Sequence, residues 1–239
     1  MKNIMKNKSI GILGGMGPDA SARLYQVMIS MARDEFGARK NEEYPELVIH
    51  SIPVPDFISD MGRAEEAMFM LKDGVRDLSK LKLSCMALAC NTAHTTLVNL
   101  EQETSVPFVS IIEMVALEAK KFGYRRVGLL ASPSMIYTGA YQGVLRDRGI
   151  NTVVPNHELV EELGMIISGV VAGEFKQAKK KLLVIADGLK KKGCEALVLG
   201  CTELPLVFPK NYSLPVLDCV EILARALLKR YYNQGGDIK

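Results

Sequence analysis

Two cysteines stand at equivalent places in this 239-residue sequence, each after an apolar run and before polar residues. The first run ends at Cys90 and continues as Asn91-Thr92, and the second ends at Cys201 and continues as Thr202-Glu203. A thiol is a base when ionised and an acid when protonated, so two thiols on opposite faces of one carbon could remove a proton and return it. The pair therefore indicates inversion of a stereocentre by proton transfer.

The runs before these cysteines predict buried strands of a parallel sheet. Short aliphatic runs alternate with longer amphipathic ones, a pattern typical of strands connected by helices. The predicted strands are Ser9–Leu13, Leu47–Ile52, Cys85–Ala89, Phe108–Ser110, Arg126–Leu130, Thr152–Val154, Ala196–Leu199 and Val216–Leu217. Ligands bind at the carboxyl ends of such strands, where both cysteines fall. Each thiol is also expected at the start of a helix, which favours the thiolate.

The predicted strands form two similar sets, offset by about 110 residues, which indicates an internal duplication. The matched segments are Ile10–Leu13 with Val127–Leu130, Cys85–Thr92 with Glu195–Thr202, and Val106–Val109 with Leu214–Leu217. We predict an α/β fold of two pseudo-symmetric doubly wound domains, each a parallel sheet of about four strands flanked by helices. The first domain comprises residues 1–110 and a returning helix in 218–239, and the second comprises 111–217. A pseudo-twofold axis would bring Cys90 and Cys201 together across an active-site cleft.

Composition excludes several classes of protein. The chain has 30 basic and 27 acidic residues, and 48% of its residues are hydrophobic. This balance predicts neither a nucleic-acid nor a membrane partner, and the lysine runs 179–181 and 190–192 fall on the polar face of a predicted helix. No apolar run approaches the roughly 20 residues of a membrane span. Five cysteines, an odd number, favour a reducing compartment. With no export signal recognised, we expect a soluble cytoplasmic protein.

The cysteines also allow a purely structural interpretation. Three of them are expected to be packing thiols, namely Cys85, Cys194 and Cys219. Position alone leaves the same interpretation open for Cys90 and Cys201. A zinc site is disfavoured because no two cysteines are closely spaced and the histidines are scattered. His94, four residues after Cys90, is either a buried hydrogen-bonding histidine or a catalytic partner.

A glycine-rich turn follows the first predicted strand. Residues Gly15 to Ala20 fit the pattern G-x-G-x-x-A of dinucleotide sites, but the second strand ends without the acidic residue that would hold a ribose. Glycines before a helix start also allow close approach of a small carboxylate. We therefore favour a carboxylate site over a nicotinamide cofactor.

Three motifs in this order resemble the aspartate/glutamate racemase family: Gly11–Pro18, Ala89–His94 and Gly200–Glu203. The resemblance covers nearly the whole chain. It implies a two-domain pseudo-symmetric α/β fold, usually a homodimer, and racemisation of a small-molecule amino acid without cofactor or metal. By motif position, the catalytic residues would be Cys90 and Cys201. The residues implied to hold the α-carboxylate and α-amino groups are Gly15, Met16, Asn91, Thr92, Ala93 and Thr202.

The sequence departs from the aspartate-specific pattern of that family. The arginine and the lysine expected there for a distal carboxylate correspond to Phe57 and Val160, and a common threonine corresponds to Met135. Apolar residues cannot form the paired hydrogen bonds that select a carboxylate. Glu203, however, resembles the aspartate branch, because glutamate racemases carry a histidine there.

The resemblance leaves several functions open. It implies an aspartate or glutamate racemase, or a racemase of broad or non-acidic specificity. A cis-trans isomerase of the same superfamily is the next alternative, followed by a NAD-dependent oxidoreductase. A binding protein of the periplasmic type shares the two-lobed shape, but we recognise no export signal for it.

Overall fold

A computed structural model of the chain describes residues 9–55 and 61–232. Their strands form two parallel sheets flanked by helices. The strands are β1 (Ser9–Gly14), β2 (Leu47–Ser51), β3 (Leu83–Leu88), β4 (Arg126–Leu130), β5 (Asn151–Val153), β6 (Ala196–Leu199) and β7 (Val216–Asp218). The first sheet has the order β2-β1-β3 and the second β5-β4-β6-β7. The predicted α/β class is confirmed.

α-Helices connect these strands, and three of the helices begin at a side-chain cap. The helices are α1 (Pro18–Asp34), α2 (Ala64–Ser79), α3 (Leu97–Glu101), α4 (Ile111–Lys121), α5 (Pro133–Thr138), α6 (Ala140–Arg146), α7 (His157–Val171), α8 (Phe175–Lys191), α9 (Leu204–Val207) and α10 (Cys219–Tyr232). The side chains of Ser110, Ser132 and Asn156 cap α4, α5 and α7, each accepting a hydrogen bond from the backbone N–H three residues on. Short 3-10 helices span Asn41–Glu43, Met61–Arg63 and Thr92–Thr96.

One predicted strand, Phe108–Ser110, is not a strand in the structure. A single parallel bridge joins Phe108 to Met86, where the Met86 N–H donates to the Pro107 carbonyl (2.9 Å). Ser110 serves instead as the N-cap of α4. Because the chain must leave the sheet to start that helix, pairing stops after one residue.

The two sheets nevertheless share one plan. The Leu197 N–H donates to the Pro215 carbonyl (2.9 Å) beside β7, which matches the bond from Met86 to Pro107 in the first half. In both halves the first strand lies between the second and the third. Such an order reverses direction at the middle strands, and α/β proteins bind ligands at the carboxyl edge of that point.

The last helix joins the two halves. α10 packs against α1 and α4. The Arg23 guanidinium pairs with Asp218 (2.6 Å) and also approaches Glu221 (3.6 Å). These contacts fix α1, and hence the glycine-rich turn before it, against the end of the second sheet. None of the helices within 9–55 and 61–232 combines the length and the apolar character needed to cross a membrane.

Candidate active site

A cleft of about 210 Å³ opens at the carboxyl ends of both sheets. The residues lining it are Gly15, Met16, Gly17, Pro18, Val54, Pro55, Cys90, Thr92, Ser168, Val171 and Glu203. They come from the turn after β1, the loop after β2, the turn after β3, the end of α7 and the turn after β6. Pockets for drug-sized ligands have volumes of about 300–1,000 Å³, so this cleft suits a smaller molecule.

The glycine-rich turn approaches the neighbouring strand so closely that a side chain is excluded. Gly15 has a φ of +94°, and a Cβ atom there would lie 2.3 Å from the Ile52 carbonyl oxygen. The Ser21 hydroxyl holds this turn from α1, because it accepts from the Gly15 N–H (2.9 Å) and donates to the Gly17 carbonyl (3.1 Å). The turn is therefore a fixed wall of the cleft.

Cys90 lines the cleft two residues after the end of β3, and its side chain is almost fully buried. The neighbouring Thr92 also lines the cleft, and its hydroxyl is 3.0 Å from the Ser132 hydroxyl of the second half. Asn91 is directed into the protein: its Oδ1 accepts from the Tyr141 hydroxyl (2.6 Å) and its Nδ2 donates to the Cys219 Sγ (3.2 Å). The two halves thus hold the Cys90 turn together.

Cys201 lies behind the cleft surface, after β6. Its Sγ–H donates to the Glu203 Oε2 (3.0 Å). Burial, the carboxylate of Glu203 and the negative charge of an ionised Cys90 all raise the pKa of Cys201 well above the usual range.

The expectation that a helix start would favour a Cys201 thiolate is wrong. The helix that follows, α9, has only four residues, and the residue before Pro209 is extended. A single turn offers little dipole to stabilise a thiolate, whereas the adjacent Glu203 carboxylate favours the protonated thiol.

Glu203 is the main polar group of the cleft. Its side chain is only 4% exposed. Oε2 accepts from the hydroxyl of Thr202 (3.0 Å) as well as from the thiol of Cys201, and Oε1 accepts from the Gly17 N–H (3.0 Å). The carboxylate therefore connects the β6 turn to the β1 turn across the cleft.

His94 is a buried hydrogen-bonding residue. Its Nδ1 lies 2.8 Å from the Cys90 carbonyl, and its Nε2 accepts from the Ile111 N–H (3.1 Å). Nδ1–H is thus the donor, and the ring ties the Cys90 turn to the start of α4. Burial lowers the pKa of His94 to about 4, which keeps the ring neutral at physiological pH.

This histidine makes stability depend on pH. The unfolded chain binds a proton near the ordinary pKa of 6.5, whereas the folded chain binds it only near 4, so acid favours unfolding. We expect the protein to lose about 3 kcal/mol of unfolding free energy between these two pH values through His94 alone. Urea unfolding of wild type and His94→Gln should show a shallower pH dependence for the variant. Exposed His157 supplies the control His157→Gln, and equal slopes for wild type and His94→Gln would contradict the assignment.

The structure divides the sequence-predicted binding residues into two groups. Gly15, Met16 and Thr92 line the cleft, together with Cys90. Asn91, Ala93 and Thr202 are buried behind it, with Cys201. The described cleft also contains residues that the sequence analysis missed, namely Val54, Pro55, Ser168, Val171 and the side chain of Glu203.

Two of the three residues that depart from the family pattern lie in the described part of the structure. Val160 and Met135 are buried in the core. Phe57 lies outside the described residues. In the part of the chain that the structure describes, no cluster of three or more histidine, cysteine, aspartate or glutamate side chains could hold a metal ion.

Comparisons with known proteins agree with this geometry. The Asp/Glu/Hydantoin racemase family profile matches residues 13–227. The broad specificity amino-acid racemase RacX of Bacillus subtilis (strain 168) is 26% identical over 223 residues, which are 93% of this chain and 97% of that protein.

This chain is also similar to solved structures of an aspartate racemase homologue and of an aspartate racemase. An aspartate racemase homologue from Pyrococcus horikoshii OT3 has a TM-score of 0.77 at 33% identity, covering 94% of this chain and 99% of that one. Picrophilus torridus aspartate racemase has a TM-score of 0.80 at 30% identity, covering 94% of each chain. This chain belongs to the Asp/Glu/hydantoin racemase family.

Proposed function

We propose that this protein interconverts L- and D-amino acids without a cofactor, using Cys90 and Cys201 as the two proton-transfer groups. The observation that carries the proposal is the placement of these thiols after the equivalent strands β3 and β6, with Cys90 lining the cleft and Cys201 hydrogen-bonded to Glu203, which also lines it. Each thiol can then approach a different face of a bound α-carbon.

The proposed reaction has two proton transfers. The Cys90 thiolate takes the α-proton, the C–H bond breaks, and its electron pair is left on the α-carbon and delocalised into the carboxylate. The Cys201 thiol then gives its proton to the opposite face, which forms the new C–H bond and leaves a Cys201 thiolate. The other enantiomer uses the pair in reverse.

Glu203 makes the two thiols unequal. Its carboxylate accepts a hydrogen bond from the Cys201 thiol and disfavours ionisation of that thiol, so Cys201 is proposed to start as the acid and Cys90 as the base. This asymmetry gives one base and one acid from two residues of the same type, as two-base catalysis requires.

The substrate-binding roles of six residues remain part of the proposal. Gly15, Met16 and Thr92 line the cleft and are proposed to contact the zwitterionic part of the substrate directly. Three further residues are proposed to support the turns that carry the thiols, namely Asn91, Ala93 and Thr202.

The proposed domain organisation is residues 1–110 with 218–239, and residues 111–217. The packing of α10 against α1 supports assignment of the last helix to the first domain. A homodimer is proposed from family membership, and analytical ultracentrifugation tests it.

Incubation with L-amino acids in deuterium oxide tests the function. The purified protein, with no cofactor added, should cause loss of the α-proton signal in NMR and formation of the D-enantiomer on a chiral column. Absence of both changes across the twenty amino acids would overturn the proposal.

A further inference from the structure

The cleft walls restrict which amino acid can bind. Among the described lining residues, only Cys90 and Glu203 are ionisable. The rest of the lining is formed by glycines, two hydroxyl residues and apolar side chains. A carboxylate on the substrate side chain would find no cation among these residues, and the Glu203 carboxylate would repel it.

Two arginines of the first half are paired with carboxylates. The Arg63 guanidinium donates two hydrogen bonds to Glu66 (both 2.8 Å). Arg23, on α1, is paired with Asp218. The sequence that continues from Pro55 to Met61 reads Asp-Phe-Ile-Ser-Asp and contains no basic residue. An acidic substrate side chain is therefore disfavoured by repulsion from the Glu203 carboxylate and by the absence of a cation among the described lining residues.

The single carboxylate of the described lining also has a use at the reacting end of the substrate. An ionised carboxyl group offers about four acceptor sites, and Glu203 uses three of them for Gly17, Cys201 and Thr202. The remaining site can accept from the substrate α-ammonium group. With Glu203 occupied in this way, the described lining offers no anion to a lysine or arginine side chain.

The walls facing the remaining space are apolar. Met16, Val54 and Pro55 contribute from the first half, and Val171 contributes from the end of α7. A Cβ atom built at Gly17 would lie 3.6 Å from the Val171 Cγ2 and 3.3 Å from the Glu203 Oε1, so Val171 borders the reacting end. Aliphatic walls gain free energy by burying apolar surface.

We infer that the substrate is an amino acid with an uncharged aliphatic side chain, such as leucine or methionine, and not an acidic one. This inference rests on the proposed racemase function. The specificity-determining side chain is Val171, which is 53% exposed and therefore open to substitution without disturbing the core.

The inference is tested by measuring the rate at which the wild-type protein exchanges the α-proton of each amino acid in deuterium oxide. We expect kcat/KM for L-leucine and L-methionine to exceed that for L-aspartate, L-glutamate and L-lysine at least tenfold. A higher value for an acidic or basic amino acid would overturn the substrate class while supporting the racemase function. No exchange with any amino acid would overturn both.

A charge placed in the cleft should reverse the preference. Val171→Arg should raise kcat/KM for L-glutamate at least tenfold and lower that for L-leucine, because it supplies the missing cation. Ser168→Arg, one turn earlier on α7, gives a second variant with the same expected direction. The matched control is Val184→Arg, at an exposed position on α8 outside the cleft, which should change neither value. An unchanged preference in folded Val171→Arg and Ser168→Arg would overturn the placement of the side-chain site.

Discussion

Replacing Cys90 or Cys201 by serine is expected to lower kcat/KM for racemisation by about 10³-fold, within the range that one general acid or base contributes. A serine hydroxyl ionises far less readily than a thiol, so it cannot act as the base and is a poor acid. Each variant keeps a thiol on only one face of the α-carbon. We therefore expect each to exchange the α-proton of one enantiomer with solvent deuterium, and the two variants to prefer opposite enantiomers.

Cys194 provides the matched control for these substitutions. It is also a buried thiol, but it lies before the amino end of β6, whereas Cys201 follows the carboxyl end of the same strand. Cys194→Ser should racemise at the wild-type rate. Normal racemisation by either Cys90→Ser or Cys201→Ser would eliminate the two-thiol mechanism.

Glu203→Gln is expected to give the second large effect, a loss of about tenfold to hundredfold in kcat/KM, as expected when hydrogen bonds to a charged group are lost. The pH profile separates this role from simple damage to the fold. Because the carboxylate raises the pKa of Cys201, its neutralisation should let the thiol pair lose its second proton more easily. The alkaline limb of the kcat/KM profile should move to lower pH by about one unit or more.

Racemisation has an equilibrium constant of one, so Glu203→Gln must lower kcat/KM equally in both directions.

The control variant for Glu203→Gln is Glu161→Gln, since exposed Glu161 on α7 accepts a hydrogen bond from the Tyr137 hydroxyl away from the cleft. It should leave the profile unchanged. An unshifted alkaline limb in Glu203→Gln would show that the carboxylate does not control the protonation of Cys201.

The sequence is sufficient to predict the inner strands of the fold. β4 and β6 have their predicted bounds, because an apolar run bounded by polar residues fits a strand buried on both faces. Phe108–Ser110 fails as a strand because Ser110 can also cap a helix, and the capping role prevails. The competition between these two roles depends on where α4 must start, which is a property of the whole fold.

The candidate site could be predicted from the sequence only in part. The motifs around Cys90 and Cys201 identify the thiols, but Val171 reaches the cleft only because α7 ends there, and no local pattern reports that. Glu203 could have been found from its place two residues after Cys201. The preferred protonation state of Cys201 was predicted wrongly, since the sequence reveals neither that α9 is only four residues long nor that the Cys201 thiol donates to Glu203.

The most direct test of the two-thiol account is the position of deuterium early in the wild-type reaction. The enzyme is incubated with one L-amino acid substrate in deuterium oxide and stopped at low conversion, and the two enantiomers are separated and analysed by mass spectrometry. The account predicts deuterium at the α-carbon of the D-product and the original proton in the remaining L-substrate, because different thiols remove and deliver the proton. Transfer of the substrate's own proton into the D-product would contradict it, since only a single base can return the proton that it removed.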